Sequence, residues 1–313
     1  MTTARKTLAV VSMSTGKDSG ITAARAVDAL GIDNCRFVFA DTGNEHELVY
    51  QHLAYLRTFF GEIATVKADF AQHIARKRIY VETVWPSKGV PDDIVQRALG
   101  VLHPTGVPFL DLCLWKGRFP SRMAQFCTQE LKRGPLDAYM MELLAQGFDL
   151  ESWRGIRRDE SQNRRDAVPR ERAAEGWTIV HPIVDMTAGQ VIAEHHARGL
   201  KLNPLYSLGM KRVGCMPCIN CGKDELLEIS RRFPEHIDKI REWERLVSLA
   251  SKRQWTTFFC DALQDAETDA EIFDRLRIDQ RVKWAQTARG GRQADFIRTA
   301  PQPACSSLYG LCE

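Results

Sequence analysis

Short apolar runs alternate along the first two-thirds of the chain with segments whose apolar residues recur at helical spacing. Residues 8–11, 36–40 and 63–68 have the length and β-branched or aromatic content of buried strands, and 152–156 and 177–182 read the same way. Helices are predicted over 21–30, 45–60, 70–77 and 137–146, the last stopping at Gly147, and Thr187 caps another through His196. This alternation predicts βαβ units and a doubly wound α/β sheet of about five parallel strands. Between 85 and 120, Pro86, Pro91, Pro104, Pro108 and Pro120 interrupt every candidate element. After Asp224 the pattern is helical only, with Pro234 opening a second helix and 269–286 continuing in the same style. The expected organisation is an α/β domain over 1–221 and a helical C-terminal region over 222–313.

The polar positions between these elements carry the chemistry. The first run passes through Ser12 into Ser14, Thr15, Gly16, Lys17, Asp18 and Ser19, with Asp18 or Ser19 placed to cap the next helix. A strand that enters a helix through a tight polar turn offers unpaired N–H groups and roughly half a positive charge to an anion, and Lys17 adds a full charge. The turn is not a Walker A loop, because Asp18 follows Gly16-Lys17, and GxGxxG is absent. Asp41, Thr42, Gly43 and Glu45 fall at the carboxyl end of the second strand, where open α/β sheets keep their ligand crevice. There Asp41 and Glu45 would hold Mg²⁺ or meet a ribose, while Asp41 as a simple helix cap is the plain alternative. Seven arginines lie between 154 and 172 with no lysine among them. Such density fits a salt-bridged face, but planar guanidinium groups also suit bidentate phosphate contact.

Composition changes this picture at two points. With a formal net charge of +3 over 313 residues, any nucleic-acid surface must be local. The first residues lack the apolar stretch of a signal peptide and no run is long enough to span a membrane, so a cytoplasmic protein without a membrane partner is expected. In that setting nine cysteines, an odd number, do not read as a disulfide framework. Cys35 and Cys260 read as core residues, and His181, His195 and His196 as surface or satisfied core residues. Cys215, Cys218 and Cys221 form CxxCxxC, the opening of a ferredoxin-type run whose local fourth cysteine is replaced by Glu225. Three thiols in one knuckle favour a [4Fe–4S] cluster over zinc and require a distant fourth ligand.

With these residues in view, the segment 14–19 resembles the SGGKDS pyrophosphate loop of the PP-loop ATP pyrophosphatases, which include the phosphoadenosine phosphosulfate (PAPS) reductase family. Thr15 stands where that loop has its first glycine. Asp41-Thr42-Gly43, Phe126-Cys127-Thr128 with Lys132 and Pro135, Gly155 to Ser161 and Gly214 to Cys218 are similar to further segments of the family. The resemblance implies an adenine nucleotide alpha hydrolase-like fold and a site for ATP with Mg²⁺. It implies nucleotide contacts from Ser12, the loop residues, Asp41, Thr42 and Gly43, and from Gly155, Arg157, Arg158, Glu160 and Arg164. It brings Cys127 to the knuckle as the fourth ligand, with Cys113 in reserve. The tail, with Cys305 and Cys312, resembles the cysteine-bearing tail of PAPS reductases and implies a sulfur-carrying thiol.

In character the chain is most similar to the iron–sulfur ATP pyrophosphatases of DNA phosphorothioation. That similarity implies cleavage of ATP between its α and β phosphates at Lys17 and Asp18, and adenylation of a nucleic-acid phosphate. It further implies DNA and a cysteine desulfurase-type sulfur donor as partners, with a homodimer as one arrangement. A PAPS or adenylyl-sulfate reductase, a tRNA thiolase and a non-enzymatic redox-sensing cluster protein are the other readings. If about five arginines, including those of the 289–292 RGGR segment, met phosphates, log K would fall by about 4.5 per tenfold rise in salt.

Overall fold

The computed structural model describes residues 5–260 and 268–287. Six strands form one sheet: β1 (Thr7–Met13), β2 (Cys35–Ala40), β3 (Ile63–Val66), β4 (Asp149–Trp153), β5 (Arg170–Arg172) and β6 (Thr178–Val180). Their order is β3-β2-β1-β4-β6-β5, and every neighbouring pair is parallel except β5 with β6. The five parallel strands match the expectation. β5 was not anticipated, because its three residues are exposed and lie inside the arginine run, where no apolar pattern marks a strand.

Both faces of the central strands are covered, which is why β1 reads as an unbroken apolar run. Alternate residues divide between two layers. Leu8, Val10 and Val38 pack with Met140 and Leu143 of one helix, α7 (Gly134–Ala145). Ala9, Val11, Phe37 and Phe39 face the other way, against the layer that holds α1 (Lys17–Leu30) and α2 (Glu47–Phe60). In that layer α1 packs on α8 (Ala188–Ala197), whose Thr187 forms the expected capping box with Gln190.

The proline-rich stretch is helical, contrary to the sequence expectation. α3 (Ala71–Val84) runs a full turn and more beyond its predicted end, and α4 (Asp92–Val101) and α5 (Pro108–Lys116) follow. Pro91 is the N-cap of α4 and Pro108 occupies the first turn of α5, where the missing N–H costs nothing. These prolines start helices instead of breaking them. A single turn, α6 (Phe126–Thr128), leads through Gln129–Arg133 into α7.

After the cysteine knuckle come α9 (Lys223–Arg232), α10 (Pro234–Leu249), α11 (Asp269–Leu276) and α12 (Ile278–Ala285). α10 packs on α4 and α5, and Trp243 stacks on Phe109 at 5.5 Å. The C-terminal helices therefore share one apolar core with the sheet layer. Among the described residues no helix is long and apolar enough to cross a membrane.

Candidate nucleotide and cysteine site

The chain leaves β1 toward β2 on one side and reaches β4 on the other, so a crevice opens beyond the carboxyl ends of β1 and β4. A cleft of about 740 Å³ lies there, a volume suited to a nucleotide. Ser12, Ser14, Gly16, Lys17, Asp18 and Ser19 line it from β1 and the loop. Thr15 does not line it: it is buried at φ +60°, the left-handed region that the family glycine suits, and its Oγ1 accepts from Asn203 Nδ2 at 3.3 Å. Its hydroxyl thus serves the support beneath the loop, not the ligand side.

The expected cap by Asp18 or Ser19 is not formed. α1 starts at Lys17 with Gly16 as N-cap and no side-chain cap, while Ser19 Oγ turns back to donate to Gly16 O at 2.9 Å. No side chain of the loop itself caps this N-terminus, which faces the cleft as an anion site requires. From below, Tyr206 Oη accepts the Lys17 N–H at 3.1 Å, and the Lys17 ammonium lies 5.6 Å from the Tyr206 ring and 3.2 Å from Asp18 Oδ2. Asn203 and Tyr206 escaped the sequence reading, and His195, read as a surface or satisfied core residue, is a buried one whose Nε2 meets the Lys17 carbonyl. They sit some 180 residues downstream with no motif to link them to the loop.

The end of β4 closes the other wall. A Cβ on Gly155 would lie 2.9 Å from the Asp18 carbonyl carbon, so only glycine lets this segment approach the loop. Arg157 is buried, with Nε 2.6 Å from Asp18 Oδ1 and Nη1 bonded to Asp159. Glu160 and Arg164 line the rim and pair with each other. Arg158 departs from expectation: it turns out of the cleft to Asp185 and to the Ala167 carbonyl at 2.8 Å. Val10, Leu136 and Met140 give the cleft apolar surface, and Lys132, Arg133, Arg154 and Arg212 add positive charge to its lining.

Asp41, Thr42, Gly43 and Glu45 do not line this cleft. Asp41 pairs with Lys67 at 2.7 Å and accepts from Tyr50 Oη at 2.9 Å. Burial pushes its carboxyl up, but the hydrogen bonds from Lys67, Gly43 and Tyr50 outweigh that and hold it below the usual range. Burial raises Glu45, which accepts from Thr42 Oγ1 at 2.7 Å. Both carboxylates have partners within the protein, away from the cleft where a role toward Mg²⁺ or ribose was expected. The segment instead docks the knuckle: Asn44 O accepts from Met216 N at 2.7 Å, Asn44 Nδ2 donates to Pro217 O at 3.1 Å, and Thr42 Oγ1 lies 3.4 Å from Cys215 Sγ.

A charged Cys218 disfavours ionisation of Cys127, Cys215 and Cys221 alike. Burial is the larger cause in each and pushes Cys215 up to about 11. Cys113 is fully buried beside Cys127 and raised by burial. Cys215, with Glu45 and Cys218, holds the Lys132 ammonium above its ordinary value against burial. His46, Glu235 and His236 also converge within 4.8 Å. However, His46 Nδ1 accepts the Leu48 N–H, which puts its proton on Nε2, and the Lys239 ammonium is 3.1 Å from His236 Nδ1. This is a hydrogen-bonded cluster, not a prepared ligand set. Cys305, Cys312 and the 289–292 segment lie outside the described residues.

Residues 115–221, from the end of α5 through the knuckle, match the phosphoadenosine phosphosulfate reductase domain. The chain belongs to the PP-loop, PAPS reductase family. Over 330 aligned positions, 99% of this chain and 98% of the relative, it is 39% identical to an uncharacterized 37.8 kDa protein of the gpa 5′ region of Escherichia phage 186. It is 26% identical to an adenosine 5′-phosphosulfate reductase of Burkholderia cepacia over 49% of this chain and 69% of that one. Among solved structures it is similar to a PAPS reductase of Candida auris in a phosphate complex, with TM-score 0.40 and 15% identity over 67% of this chain and 82% of that one. Family membership makes the chain a PP-loop nucleotide-binding enzyme.

Proposed function

We propose that the protein is an ATP pyrophosphatase that adenylates an acceptor oxygen, a nucleic-acid backbone phosphate, for sulfur insertion of the DNA phosphorothioation type. The observation that carries this reading is one continuous cleft. The lysine-bearing loop and Arg212, three residues before Cys215, line it together. ATP, entering with Mg²⁺ on its phosphates, would set its β and γ phosphates against the α1 N-terminus and Lys17. Its base would lie on Val10, Leu136 and Met140. The acceptor oxygen attacks the α phosphorus, the α–β bridging bond breaks, and pyrophosphate leaves with the charge that Lys17 and the loop amides stabilise. The terminal sulfur of a persulfide from a cysteine desulfurase-type donor then displaces AMP, and a second thiol cleaves the remaining S–S bond, forming a disulfide. Cys305 and Cys312 are the sequence candidates for that thiol.

The four thiols Cys127, Cys215, Cys218 and Cys221 suit an iron–sulfur cluster by donor chemistry, and the Lys132 cation beside them offsets the charge of a thiolate-bound centre. Three thiols in one CxxCxxC knuckle with a distant fourth favour such a cluster over zinc, whose structural sites usually pair two separated CxxC motifs. Such a cluster supplies electrons or holds sulfur when bound.

An adenylyl-sulfate or PAPS reductase is the second reading, favoured by the Burkholderia cepacia relative. Paired assays on anaerobically purified protein separate the two. Pyrophosphate release from ATP supports the first, whereas thiol-dependent sulfite release from PAPS or adenylyl sulfate without ATP turnover refutes it.

A further inference from the structure

His195 lies in α8, 2% exposed, directly behind the first turn of α1. Its Nε2 is 2.7 Å from the Lys17 carbonyl oxygen and its Nδ1 is 3.0 Å from the Leu200 carbonyl oxygen. Both partners only accept, and a neutral imidazole carries a single N–H. In the neutral ring one nitrogen lone pair therefore faces a carbonyl oxygen, and only the imidazolium makes both bonds. Gly20 leaves the space for the ring, since a Cβ there would lie 2.9 Å from His195 Cε1.

The groups around the ring set its balance. Burial opposes the charged form most, the two carbonyls favour it, Asp18 on α1 favours it, and His196 on the same helix opposes it. His52 on α2 is a further imidazole coupled to it. The net effect holds the ring below its ordinary value in the anion-free protein. Asp18 is already shared between Lys17 and Arg157, so it cannot stabilise the imidazolium fully. A polyphosphate on the loop would bring new negative charge to the first turn of the helix whose Lys17 carbonyl the ring holds.

We propose that His195 is a proton-coupled positioning residue of the loop, taking up a proton from solvent when a polyphosphate occupies residues 14–19. As imidazolium it donates to both carbonyls, fixes the start of α1 and adds one positive charge behind the anion. This rests on the reading of 14–19 as a polyphosphate loop. Because the complex binds the ring proton more tightly than the free protein, affinity strengthens as pH falls. It weakens by up to about tenfold per pH unit as pH rises between the free and bound titration points.

The test uses the full chain labelled with ¹⁵N, inorganic pyrophosphate as probe, and near-neutral pH. The His195 ring nitrogens are assigned by their loss in His195→Gln or, should that variant not fold, by ring-to-backbone correlations in the wild type. The expected result is that the Gly16 and Lys17 amide signals move and the His195 ring passes from one protonated nitrogen to two. Amide movement with an unchanged ring, whether neutral or doubly protonated throughout, overturns the His195 assignment alone. No amide response overturns the loop reading and this proposal with it. As a second readout, pyrophosphate Kd is measured from about pH 6 to about pH 8 for wild type and His195→Gln, so that the ligand's own titration cancels. Wild type should weaken relative to the variant as pH rises; parallel profiles overturn the proposal.

Discussion

Arg157 Nε lies 2.6 Å from Asp18 Oδ1, and this one contact ties the end of β4 to the first turn of α1 across the switch point of the sheet. The Arg157 side chain is 4% exposed and that of Asp18 20%, so the pair is largely desolvated and its geometry is fixed. Whatever occupies the cleft meets both walls through this joint.

Removing one partner of a buried ion pair costs about 3–5 kcal/mol. Because Asp18 keeps Lys17 as a partner, Arg157→Ala should fall near the lower figure. Arg157→Lys should recover only part of it, having no fork to span Asp18 and Asp159. Urea unfolding of the three proteins measures this; equal stabilities would show that the pair does not join the walls.

Gly155→Ala tests the approach of β4 to the loop. The added methyl must displace Asp18 backbone, so ATP affinity should drop by more than tenfold, with about 1–3 kcal/mol of stability lost to overpacking. Calorimetric titration with a non-hydrolysable ATP analogue reads the first and thermal unfolding the second.

Glu244 links the C-terminal helices by accepting the Phe258 and Ile278 N–H groups at 2.8 and 3.0 Å. Burial raises its carboxyl to about 7 despite these bonds. The folded state thus holds this proton more tightly than the unfolded chain, where glutamate titrates near about 4.3. Its contribution is complete below that point and is lost as pH rises through about 7, on the order of 3 kcal/mol in all. Glu244→Gln should flatten this part of the stability profile from about pH 4.5 to about pH 7.5; an unchanged slope would refute the assignment.

Cys218 is coupled to Cys127, Cys215 and Cys221. Anaerobically purified protein should be brown. Cys218→Ser should lose the broad visible absorption and the bound iron, and Cys113→Ser should retain both. Iron and sulfide analysis of the two variants decides between Cys127 and Cys113 as the fourth ligand.

The arginines differ in availability. Arg157, Arg158, Arg164 and Arg170 are paired with carboxylates, whereas Arg133, Arg154 and Arg212 line the cleft outside any ion pair among the described residues. If those three alone met phosphates, log K would fall by about 2.7 per tenfold rise in salt; a slope near about 4.5 would require about two further contacts. Fluorescence anisotropy with a short DNA duplex at several salt concentrations measures the slope.

The sheet was legible because β1 and β2 are buried on both faces and carry apolar runs, whereas β4, with Glu151 and Ser152 inside it, was expected three residues late. The helices at Thr187 and Pro234 were legible because a capping residue and a first-turn proline mark their starts. β5 was hidden by its exposed, charged residues, and α4 and α5 by prolines that initiate helices as readily as they end them. In the site, the loop and the knuckle are local motifs and could be read. The beam beneath the loop could not, because Asn203, Tyr206 and His195 meet residues 15–17 only through tertiary packing. Nor could the turning of Asp41 toward Lys67 or of Arg158 toward Asp185, since a motif does not fix which partner a charged side chain takes.

The central claim is that the loop directs cleavage between the α and β phosphates of ATP. The most direct measurement is ³¹P NMR of ATP and Mg²⁺ incubated with anaerobically prepared protein, DNA and a persulfide sulfur donor. Equal amounts of AMP and pyrophosphate, abolished by Lys17→Ala, are the predicted result. Unchanged ATP, or ADP with orthophosphate, would contradict it.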